Sequence, residues 1–247
     1  MIEDRYATAL RTAAWSAAIV LVLVGVVAAI ARVSFVSDLA SRADPVRERA
    51  LRSLGRTDPL VHRDPDEMLT FDRSFRTHRA VTYLHVIPGA IFLALAPLQF
   101  SSRIRTRYSR LHRVMGRVLM ICALITAAAG LFFGLFMPYG GFDEALAIAI
   151  VGGALFIAVS RGFFAIRSGN VAVHREWMLR AFALGLGIST VRVVAAALDL
   201  SGIEATPRQM FVVSIWSGWT LTLAVTEIWI RYTRARNRSM TAVPATA

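Results

Sequence analysis

The 247-residue chain contains no lysine and only one cysteine. Without lysine, Schiff-base catalysis is excluded. Cys122 stands alone in an apolar run, so an intramolecular disulfide, a Cys-x-x-Cys redox pair and a zinc knuckle are excluded too. Acid is scarce: 16 carboxylates face 28 basic residues, all of them arginine, for a net charge of +12. An all-arginine basic set is what a GC-rich bacterial genome tends to produce. Walker, Gly-x-Ser-x-Gly and His-Glu-x-x-His motifs are missing as well. Gly140-Gly141, after Pro138-Tyr139, reads as a tight turn and not as a phosphate loop.

What is present is apolar length. Hydrophobic residues make up 56% of the chain, and the mean hydropathy is +0.55. Several runs reach about 20 residues, the length that crosses a hydrocarbon core. Spans are expected over Ala13–Ala31, Ala80–Phe100, Val114–Met137, Ala145–Ile166, Met178–Leu198 and Phe211–Ile230. The predicted fold class is all-α: a polytopic membrane helix bundle of about six transmembrane helices. It divides into an N-terminal anchor (1–36), an extracytoplasmic loop (37–79), a five-helix transmembrane core (80–231) and a basic tail (232–247). Ala29-Ile30-Ala31 offers small residues at a signal-peptide cleavage spacing, but the long apolar stretch and Glu3 and Asp4 near the start favour a retained anchor.

Arginine placement sets the orientation. With the N-terminus inside, the short inner segments carry 16 arginines, whereas the two short outer loops hold only Arg208. Both termini are therefore expected in the cytoplasm. The 36–79 loop resists this with nine arginines, nearly cancelled by eight acids. Within it, Asp44-Pro45 leading to Gly55 reads as a short capped helix, and Asp64-Pro65 as a second helix start that extends span 2 outward. A pI near 11.4 is accordingly read as cytoplasmic loops touching anionic lipid, with no nucleic-acid partner. Gly130-x-x-x-Gly134 and Ala181-x-x-x-Gly185-x-Gly187 are expected to give flat faces for close helix packing.

Four of the five histidines precede an arginine: His62-Arg63, His78-Arg79, His112-Arg113 and His174-Arg175. His62 reads as a solvated loop residue. Ionisable groups inside a membrane are costly and therefore functional candidates. An outer set comprises His78 and His85, two helical turns apart on one face, with Arg192 at matching depth on span 5. This basic set suits an anion or a quinone carbonyl. In the structural alternative, His85 bonds a carbonyl freed by Pro88 and Arg192 snorkels toward Asp199.

The inner set is larger: His112, Arg113 and Arg117 at span 3, Arg161 on span 4, and His174, Arg175 and Arg180 at span 5. Glu227, near the inner end of span 6, is taken as the only acid close to them, and it is expected to pair with one of these arginines. The remaining positive charge suits a small anionic ligand, a lipid phosphate or haem propionates; the structural alternative is head-group contact. His112 and His174 precede parallel spans at one depth, which is what bis-histidine haem b ligation requires. Both lie at the span boundary, however, and spans 4 and 6 offer no histidine to pair with His85. A His112–His174–Glu227 metal site is a further possibility.

The run Pro97-Leu98-Gln99-Phe100, then Arg103, Arg105 and His112-Arg113-x-x-Gly116-Arg117, lies between His85 and His174-Arg175-x-Trp177-Met178-x-Arg180. Over roughly residues 80–200 this pattern resembles the bacterial membrane-protein family called domain of unknown function 2306. The resemblance implies that His85, Gln99, His112, Arg113, Gly116, Arg117, His174, Arg175 and Arg180 occupy family positions; it brings no activity, substrate or cofactor. The six-helix plan is also loosely similar to cytochrome b561, at the level of fold.

The sequence thus points to a multi-pass protein of the bacterial inner membrane, not an enzyme in the first instance, that binds an anionic ligand or lipid at the inner ends of spans 3 and 5. Arg117, Arg161 and Arg180 would supply charge, and His112 and His174 would be directional donors. A haem electron-transfer protein using His112 and His174 is the alternative, followed by a small-solute or proton-coupled transporter. Oligomeric state is not legible.

Overall fold

A computed structural model describes residues 2–37, 73–203 and 205–242. The helix starts read at Asp44 and Asp64, and the loop residue His62, lie outside the described residues. The apolar runs form helices: α1 (Ile2–Val36), α2 (Arg79–Gln99), a short α3 (Ser102–Arg107), α4 (Ser109–Phe136), α5 (Phe142–Arg167), α6 (Val171–Leu200) and α7 (Pro207–Ala242). All but α3 are long and apolar enough to cross a membrane, and no strand occurs among the described residues. A helix satisfies its own backbone, which lipid requires of any single span.

The helices overrun the expected spans because local chemistry sets their ends. α5 closes in a Schellman motif: Asn170 N–H donates to the Ala165 carbonyl (2.8 Å) and Gly169 N–H to that of Ile166 (3.1 Å). Gly169 takes the left-handed φ of 77° that this motif needs. The Asn170 side chain then accepts from Val173 N–H (3.1 Å) and opens α6. α7 starts with a capping box, Thr206 and Gln209 bonding reciprocally through side chain and backbone, with Pro207 as the first helical residue.

Each helix packs on its sequence neighbour, and α1 packs on both α2 and α6. α6 is the hub, touching α1, α2, α5 and α7. Its stretch Ala181–Leu184, Leu186, Gly187 and Ser189–Val191 is buried. The glycine pattern there is corrected by the structure. Most of these glycines are notches for side chains, not flat faces. Trp219 of α7 fills the notch at Gly187 and its indole N–H donates to the Leu184 carbonyl (2.9 Å). Ile148 fills Gly134, and Phe92 fills Gly185. Close backbone approach occurs instead at Gly218, where a Cβ would lie 2.6 Å from the Val191 nitrogen. Nearby, Thr222 donates to Thr190 (2.8 Å). With no hydrophobic drive between helices in lipid, such packing and interhelical bonds hold the bundle.

Candidate functional site

Polar residues gather at two ends of the bundle. At the first, α4 begins at Ser109 and α6 at Val171, so His112 and His174 both fall in a first helical turn. The His174 Nδ1–H donates to the Gly162 carbonyl of α5 (2.8 Å). This fixes the tautomer and leaves Nε2 with its lone pair. His112 lies within electrostatic reach of His174, Arg105 and Arg113. Its Nδ1 is buried without a hydrogen-bond partner among the described residues, and so is Nε2 of Gln99 at the end of α2. Gln99 Oε1 lies 3.4 Å from where a Cβ on Gly116 would stand. Gly116 is one turn beyond His112 on the same face of α4, so Gln99 and His112 occupy neighbouring positions along that face.

A second group adjoins it. Arg180 holds Glu227 bidentately, Nε to Oε1 at 2.5 Å and Nη2 to Oε2 at 2.9 Å. Its guanidinium also lies 4.7 Å from the Trp177 ring centroid, with that of Arg161 at 5.3 Å from the same ring. Glu227 is not the only acid here: Glu176 on α6 is held by Arg234 on α7, again through two bonds. The apolar run of span 6 ends at Ile230, but α7 continues to Ala242 and keeps Arg234 on the helix. The His112–His174–Glu227 metal site is not formed. Among the described residues no three His, Cys, Asp or Glu side chains converge to hold a metal ion. Arg113, Arg117 and Arg175 are exposed and form no ion pair among the described residues.

At the opposite end, His85 does not bond a carbonyl freed by Pro88. Its Nδ1–H donates across to the Thr126 carbonyl of α4 (2.9 Å). Gly130 makes room for the ring: a Cβ there would be 2.9 Å from His85 Cε1. The ring meets Phe133 edge-on. His78 lies against Phe132, and its Nδ1–H donates to the Ser74 carbonyl (3.3 Å), so both histidines do face α4. Arg192 does not reach toward Asp199; it turns back one turn and donates to the Ile188 carbonyl (3.1 Å). Arg192 is within electrostatic reach of His85 and of Arg32 on α1, a residue that sequence reading had not placed here. The Arg32 guanidinium lies 4.5 Å from the Phe75 centroid.

Six apolar helices with interhelical bonds buried between them define a multi-pass membrane protein. A family model described as "Predicted membrane protein (DUF2306)" matches residues 82–230, and the chain belongs to this family, domain of unknown function 2306. The match takes in both polar ends except His78, Arg32 and Arg234. No curated protein and no solved structure matches the chain.

Proposed function

We propose that this is a bacterial inner-membrane protein, both termini cytoplasmic, that binds a small anionic ligand at the cytoplasmic ends of α4 and α6. The orientation rests on the arginine distribution. The ligand reading rests on one observation: His112 Nδ1 and Gln99 Nε2, at the same end of the bundle, are both buried without partners among the described residues. Buried polar groups are normally hydrogen-bonded, and exceptions call for an explanation. A ligand presenting oxygen acceptors supplies one. Arg105 and Arg113 make the surroundings of His112 positive, and Arg117 extends that face. Arg180 belongs to Glu227 and contributes geometry more than free charge. In native mass spectrometry of the intact protein, an anionic species should co-purify and be lost in Gln99→Leu and in Arg117→Ala. A parent protein with no bound species overturns the reading.

One observation favours haem b as a second reading. The Gly162 carbonyl orients His174 so that Nε2 is the free nitrogen, the usual arrangement of a ligating histidine. Protein purified from haem-supplied cells would then show a Soret band that disappears in His112→Ala. A colourless preparation removes this reading and leaves the first intact.

A further inference from the structure

We propose a second site at the His85 end: an oxyanion-headed amphiphile, held by Arg192 with its head between α1, α2 and α6. Eight residues separate Arg192 from the end of α6 at Leu200, about 12 Å at ~1.5 Å per residue, and six separate His85 from the start of α2, about 9 Å. A guanidinium within a membrane span is costly unless paired. Among the described residues no carboxylate pairs with Arg192; its one bond, to Ile188, is to a neutral carbonyl. Arg32 of α1 and His85 of α2 lie within its electrostatic reach, which puts the head beside these helices.

The surroundings select an amphiphile over a water-soluble anion. Leu84 and Val193, chain neighbours of His85 and Arg192, are exposed apolar side chains on the flank of the bundle. A ligand entering there arrives through lipid and leaves its tail in it. The head carries acceptor oxygens for the guanidinium, as a fatty-acid carboxylate or a phospholipid phosphate does.

The test uses the intact protein in detergent. Palmitate is titrated in, and hexadecanol, with the same tail but no charge, is the control. Palmitate should bind about tenfold or more tightly than hexadecanol, because the guanidinium pairs only with the charged head. Arg192→Gln should lose that advantage and Arg192→Lys keep part of it. The parent protein's own preference for palmitate over hexadecanol is read without any substitution, so the outcome does not hang on one variant's folding. Native mass spectrometry of protein extracted from membranes identifies the natural source: a free fatty acid or a phospholipid adduct each supports the site. Equal binding of palmitate and hexadecanol by the parent protein overturns it, as does undiminished binding by a folded Arg192→Gln. Gln99→Leu leaves this site untouched, so it stands or falls apart from the ligand proposed at His112.

Discussion

The two ends of the bundle treat their charges in opposite ways. At the His112 end, Arg180 and Arg234 each meet a carboxylate, and their partners come from helices that are neighbours in sequence. At the His85 end, Arg192 meets a neutral carbonyl of its own helix and His85 a neutral carbonyl of α4. The contrast separates two uses of polarity. Ion pairs at helix ends, near water, fix α6 against α7. Histidine–carbonyl bonds fix a ring without fixing a charge, and both ends use one: His174 on Gly162 and His85 on Thr126. What differs is whether positive charge is left over inside the apolar region.

Four substitutions would break or sharpen that contrast, each read as thermal unfolding of the intact protein in detergent. The largest effect is expected from Gly130→Leu, which fills the notch holding the His85 ring; overpacking of this kind costs about 1–3 kcal/mol. It should leave ligand binding at the His112 end unchanged. Glu227→Ala comes next. It strands Arg180, but side-chain exposure of 19% for Arg180 and 38% for Glu227 moderates the loss, to about 1–2 kcal/mol. Adding Arg180→Met should restore part of that stability, which no neutral pair at the other end would show. His174→Phe keeps the ring shape and removes the Gly162 bond, with an expected cost of about 1 kcal/mol or less. Glu176→Gln is the smallest: Arg234 is exposed, so the melting temperature should hardly move. A large drop there would mean that the extension of α7 is integral to the bundle.

Much of the fold was legible because lipid leaves a chain few options. Apolar runs of sufficient length must be helices, and the six expected spans each lie within an observed helix, apart from a residue at two ends. Helix ends were less legible, since caps such as Asn170 and Thr206 sit outside the apolar runs. Pairing was legible only where scarcity forced it. Glu227, treated as a lone acid among arginines, had to find one, but nothing local in the sequence singles out Arg234 for Glu176, 58 residues away. The anchoring of His85 was hidden for the same reason, 41 residues separating it from Thr126. Gly130 carries a signal for it, but a glycine in a span fits close helix contact equally well. Arg32 was missed because span 1 seemed to end before it, whereas α1 continues to Val36.

The hub position of α6 carries a consequence for how the molecule is made. Helices that pack on their sequence neighbours can associate in pairs as they leave the ribosome. α1 does so with α2 but also has a later partner: it is made first, yet the face around Gly25 closes on Ser189 of α6 only after four further helices have followed. Between those events α1 has α2 as its partner, and the part of that face that α6 will cover is open to lipid. The order of synthesis thus leaves the contact between α1 and α6, near Arg192, as one of the last parts of the bundle to close, with bilayer molecules already in place around it.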